Sequence, residues 1–91
     1  MFRRAKVTED AIVAAADTKG QILSVLVTAG ASATVVSIYD GQNTNGTLLH
    51  QIKTSTSVAD TNLFVQYVNG LYVDIDASTA NCVLVYEGAA K

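Results

Sequence analysis

Apolar and polar residues alternate in short runs along this chain, a period of two that predicts β-strands rather than helices. The clearest run is Leu71–Asp76, where Leu71, Val73 and Ile75 point one way and Tyr72, Asp74 and Asp76 the other. One face of that strand belongs in a core. Residues 21–28, 34–40, 47–53, 63–68 and 82–87 are each rich in Val, Ile, Leu, Thr or Tyr and have the length of a common strand. Leu71, Val73 and Ile75 are therefore expected to be buried with one face each of residues 21–28, 34–40 and 82–87.

Turn chemistry separates these runs. Ala29-Gly30-Ala31-Ser32 follows the first, residues 40–46 follow the second, and residues 77–80 precede the last. Asn69-Gly70 is a hairpin signal, because both residues tolerate positive φ and suit a type I′ turn. Residues 8–19 read two ways. Thr8 could cap a short helix with Glu9 and Asp10 in its first turn and Gly20 just beyond it. The extended alternative, a strand through Ala11, Ile12 and Val13, is favoured because so short an Ala-rich run is a marginal helix. The fold expected is a single antiparallel β-sandwich or jelly-roll-like domain of about six to eight short strands.

At 91 residues the chain has room for one core. Charged residues make up 15% of it, against about 25% in ordinary soluble domains, while apolar residues reach 49%. Several runs are apolar on both faces, such as residues 24–27 and 82–86, so a second covering surface is needed. Sister copies are the simplest supply; the alternative is central strands roofed by loops or by the N-terminal segment.

Six Lys and Arg stand against eight Asp and Glu, a net charge of −2 with a pI near 5.0, which argues against a nucleic-acid partner. Arg3, Arg4 and Lys6 hold half of the positive charge, so residues 1–7 read as a basic N-terminal arm and residues 8–91 as the β-sandwich domain. Phe2, Arg3, Arg4 and Lys6 combine arginine forks for carboxylates with an aromatic anchor, and are candidate docking residues. No run is long enough to span a membrane, and Glu9 and Asp10 interrupt the chain before an apolar stretch too short for a secretory signal. The lone Cys82 makes no internal disulfide, as suits a reducing cytoplasm.

Catalytic chemistry has little to draw on. His50 is the only histidine and sits among Leu48, Leu49 and Ile52, which leaves a His-based metal site or a Ser-His-Asp arrangement without partners. Asp74 and Asp76 share an outward face and read as solvated. Residues 40–46, DGQNTNG, fail as a calcium loop because Gly41 and Ile52 would fall where carboxylates are required. Asn45-Gly46-Thr47 fits a glycosylation acceptor but reads as a turn. Tyr39, Tyr72 and Tyr86 are candidate oligomer-interface residues, with a stacking platform for sugar as the alternative. No enzyme activity, cofactor or metal is expected.

Residues 30–52, GASATVVSIYDGQNTNGTLLHQI, and 69–87, NGLYVDIDASTANCVLVYE, resemble a pattern in small β-sandwich virion proteins of tailed bacteriophages. In that pattern a strand ending in IYD runs into a Gly/Asn-rich hairpin with GT, and a GLYV strand precedes a final VLVYE-like strand. The resemblance covers about two thirds of the chain. It implies a capsid decoration or cement protein on the outer capsid surface, assembled in the host cytoplasm. Its partners would be the major capsid protein and sister copies, in a homotrimer. The alternative it leaves is a tail, adaptor or fibre component, or a receptor- or sugar-binding module.

Overall fold

The structure, a computed structural model, describes residues 2–29, 34–61, 63–76 and 81–88. Nine strands form among them: β1 (Phe2–Val7), β2 (Ala11–Ala14), β3 (Gly20–Thr28), β4 (Thr34–Asp40), β5 (Thr47–Thr54), β6 (Ser57–Asp60), β7 (Val65–Tyr67), β8 (Leu71–Asp76) and β9 (Asn81–Gly88). One sheet has the order β1-β9-β3-β6, with β7 also paired to β3, and the other the order β2-β8-β4-β5. All pairs are antiparallel. The expected all-β sandwich is present.

Its topology follows from a nested series of pairs. β6 and β7 lie end to end along one edge of β3, β6 against its Val25 to Thr28 half and β7 against its Gly20 to Ile22 half. Counted as one interrupted strand, they complete the series β1 with β9, β2 with β8, β3 with β6 and β7, and β4 with β5. The chain is thus one long hairpin with the 41–46 loop at its tip. Successive pairs fall in alternate sheets, and rolling the ribbon sets β9 on β3 and β8 on β4. That is a double-sheet jelly roll.

The core lies between the sheets. Ile22, Val25 and Val27 of β3 and Leu84 and Tyr86 of β9 meet Val36 and Ile38 of β4 and Leu71, Val73 and Ile75 of β8. These apolar positions keep the period of two in β4, β8 and β9, and β3 breaks it between Ile22 and Val25. Each large aliphatic side chain buried this way stabilises the fold by about 1.5–3 kcal/mol. Residues 11–14 take the strand alternative as β2. Three bulges break the period of two: the register shifts between Ile12 and Ala14 in β2, between Ile22 and Ser24 in β3, and opposite Ile38 and Tyr39 at Leu49 of β5. A bulge turns the following residues to the other face.

Two expectations are corrected. The basic arm is a strand of the domain: β1 pairs with β9 residue by residue from Phe2 with Glu87 to Val7 with Cys82, and Val7 is only 4% exposed. Extended backbone with two inward apolar residues, Ala5 and Val7, completes the sheet more favourably than a free tail, and charged side chains suit an edge strand because they discourage pairing with other chains. Asn69-Gly70 makes no two-residue hairpin, since β7 and β8 belong to different sheets. Instead Gly70, at φ +86° with Ala14 O 2.5 Å from where a Cβ would stand, donates its N–H to Thr18 O at 2.9 Å. This pins the crossing loop to the 15–18 turn. The turns expected over residues 30–32 and 77–80 lie outside the described residues, as does the Phe2 side chain.

Candidate functional site

The outward faces of the two sheets carry the groups that the core leaves over. On the β2-β8-β4-β5 sheet the register sets Ile12 beside Tyr72, Tyr72 beside Tyr39 and Tyr39 beside Leu48. These four residues form an apolar row across all four strands. The Tyr39 and Tyr72 rings are tilted against each other with centroids 6.5 Å apart, while Ile12 and Leu48 at the ends are 56% and 48% exposed. One step along the strands the row is polar: Asp74 pairs with Ser37 and Ser37 with Gln51, whose Nε2 donates to Ser37 Oγ at 2.9 Å. The next row is Asp76, Val35 and Lys53.

Carboxylates gather along the β2–β8 side of this face. Asp10 accepts the Ile75 N–H at 2.8 Å and also bonds the Asp74 carboxyl. Partial burial, then the hydrogen bond and charge of Asp10, then the charge of Asp76, raise the Asp74 carboxyl above the ordinary aspartate range.

The opposite face is basic along the matching edge. Lys6, Val83, Leu26 and Ala59 make one row, and Arg4, Val85 and Ser24 the next. Leu26 is 43% exposed. Both strands that are apolar on two faces, β3 and β9, therefore present aliphatic side chains outward. The N-terminal segment does not roof them, because it lies beside them as β1.

The candidate docking residues are split by this register. Arg4 and Lys6 lie on the outer face, whereas Arg3 pairs with Tyr86 on the inner side of the edge. There Arg3 lines a cavity of about 170 Å³ with Val13, Thr18, Tyr67 and Tyr86. Burial, and next Tyr86, push the Tyr67 phenol up, while the Arg3 guanidinium pulls it back. Among the three tyrosines proposed for an interface, Tyr39 and Tyr72 come together and Tyr86 does not. Tyr86 is 9% exposed and belongs to the core, because it continues the inward phase of Cys82 and Leu84. Ile12, Leu48 and Asp10 join the face without having been singled out by sequence. The bulges after Ile12 and at Leu49 hide them, since Leu48 and His50, and likewise Ile12 and Ala14, have the same parity but opposite faces.

The remaining ionisable groups take structural contacts. His50 of β5 meets Asp60 of β6 at 2.8 Å, linking the edges of the two sheets. The Asp40 carboxylate accepts the N–H groups of Val68 at 3.2 Å and Asn69 at 2.9 Å. Burial pushes the Cys82 thiol up to about 11. Among the described residues no three His, Cys, Asp or Glu side chains are grouped to hold a metal ion, and no helix is long and apolar enough to cross a membrane. A cleft of about 570 Å³ opens where β3, β7 and β9 share an end, between Gly20, Gln66, Tyr67 and Glu87.

No protein-family model and no curated protein matches this chain. Among solved structures it is similar to a chain in the structure of infectious bursal disease virus Gt strain, with 14% identity over 96% of this chain and a TM-score of 0.26. This chain spans 25% of the length of that one. So slight a likeness carries no argument about function.

Proposed function

We propose that this chain is a structural protein of a bacteriophage virion, a decoration or cement protein that binds the outer capsid surface and stabilises the shell without catalysing a reaction. The observation that carries the reading is the pair of outer faces, each with apolar side chains in a row across neighbouring strands and like charges gathered on the β1 or β2–β8 side. Such surface fits lateral protein contact better than solvent, since soluble monomers rarely expose contiguous apolar patches above a few hundred Å². The residues that resemble phage virion proteins support it: they fall on β4, the hairpin tip, β5, β8 and β9, which supply three of the four strands of one face and one of the other. Jelly rolls also recur in capsid and lectin domains, a fold-level analogy. The major capsid protein is the partner proposed, with sister copies completing a homotrimer.

A receptor- or sugar-binding role in the tail or fibre is the second reading, favoured by the Tyr39–Tyr72 pair with Asp74 beside it. Aromatic rings next to a carboxylate can stack on a sugar ring and accept its hydroxyl protons. Imaging of purified particles separates the two. Density for this chain over capsomers, with particles that lose heat resistance when it is stripped, is the expected result. Density confined to the tail would transfer the assignment to the second reading, and absence from particles would refute both.

A further inference from the structure

We infer that copies of this chain associate face to back, the basic outer face of the β1-β9-β3-β6 sheet of one copy seated on the acidic outer face of the β2-β8-β4-β5 sheet of the next. The first face has the row Lys6, Val83, Leu26 and Ala59 with Arg4 beside it and Glu87 beyond Val85; the second has Ile12, Tyr72, Tyr39 and Leu48 with Asp10, Asp74 and Asp76 along its β2–β8 side and Lys53 on β5. Three of the large hydrophobic side chains that remain exposed, Ile12, Leu26 and Leu48, lie on these two faces.

Charge placement selects the partner. β1 and β2 edge the same long side of the sandwich, since Arg3 of β1 and Val13 and Ala14 of β2 line one cavity. Simple stacking of copies therefore lays the Arg4 and Lys6 edge over the Asp10, Asp74 and Asp76 edge. Pairing like faces about a two-fold axis across the strands would instead lay base on base or acid on acid, which complementary interfaces avoid. An axis along the strands would set the basic edge over Ala59 of β6, or Asp76 over Lys53. In that arrangement one of the two variants below would still pair with itself, which overturns the inference. The broad face measures 38 × 25 Å, enough to supply the roughly 800 Å² that each partner gives to a standard interface. Sheets stacked this way sit about 10 Å apart with strands rotated by about 30°. Such a contact is heterologous, so it grows until a rotation closes it. A ring of three such contacts would be the proposed homotrimer, but the inference does not rest on the particle reading, because the association is between copies in solution.

The test uses two variants of the full chain. Lys6→Glu with Leu26→Asp disables the first face, and Asp76→Lys with Leu48→Lys disables the second; all four positions are exposed. Light scattering across micromolar to sub-millimolar concentrations should show the parent chain growing beyond a dimer. Each variant should stay monomeric, with the midpoint of association shifted by about tenfold or more. Mixing them should give a one-to-one heterodimer and nothing larger, because each retains one competent face. Circular dichroism confirms folding, and if a double variant fails to fold, Lys6→Glu and Asp76→Lys alone should each weaken association in a salt-dependent way. A monomeric parent, or a variant that still assembles like the parent, overturns the inference. Failure here leaves particle binding intact, and absence from particles leaves this association intact.

Discussion

Deleting residues 2–7 distinguishes a strand from an arm. In the structure β1 pairs along its whole length with β9, Val7 is 4% exposed, and Ala5 packs against the core. Losing the ladder forfeits hydrogen bonds worth about 1 kcal/mol each, but it also releases about 1–2 kcal/mol of backbone ordering per residue, so these terms roughly cancel. Apolar burial is left to decide. Val7 contributes about 2 kcal/mol and Ala5 about 1, and uncovering the edge of Cys82 and Leu84 adds a similar amount, for a net loss of about 3–5 kcal/mol. A chain of this length holds about 5–14 kcal/mol in total. The truncated protein should therefore lose a large part of its stability, with Tm falling by more than about 12 °C and a matching drop in urea midpoint. Arg3, Arg4 and Lys6 changed together to Gln should shift stability by no more than about 0.5 kcal/mol each, as exposed positions do. If truncation leaves the melt unchanged, β1 contributes nothing to the fold and the arm reading returns.

Other expectations follow from single residues. The Asp74 carboxyl titrates above its unfolded range, so its contribution is most favourable below that range and is lost as pH rises through the raised value. Asp74→Asn should accordingly raise Tm at pH 7 and make little difference near pH 3; a lower Tm at pH 7 would contradict the crowding by Asp10 and Asp76. Cys82, buried with its thiol at about 11, should resist a thiol reagent in native buffer and react on unfolding, and rapid native labelling would place it at the surface. Phe64 holds φ +50° while 58% exposed, a conformation unfavourable for a bulky residue. Phe64→Gly should therefore leave the melt unchanged or raise it, and a large fall would mean that the ring packs on the fold. With no proline in the chain and its two ends paired as β1 and β9, refolding should be limited by topology, in milliseconds to seconds, with no phase that a prolyl isomerase accelerates.

The sequence alone determined the strands whose alternation survives intact. β4 and β8 begin and end where the pattern of residues 34–40 and 71–76 sets them, because uninterrupted alternation admits one buried face, and a slip of one residue would invert it. It also determined that the chemistry is sparse, with one histidine and one cysteine. Tertiary structure decided the rest. β1 and the Ser57–Asp60 strand, β6, carry weak local signals, two inward residues in one and four modest residues in the other, and become strands because β9 and β3 offer open edges to pair with. Asn69-Gly70 favours a tight hairpin locally, yet the strands on either side belong to different sheets and the crossing prevails. Which residues join Tyr39 and Tyr72 was likewise a matter of register: bulges in β2 and β5 reverse the phase partway along each strand, so Ile12 and Leu48 lie outside with them, whereas Tyr86 faces inward by the unbroken alternation of Cys82, Leu84 and Tyr86 along β9. A bulge is placed by the partner strand and by the roll of the sheet, and neither is written in the spacing of one strand's residues.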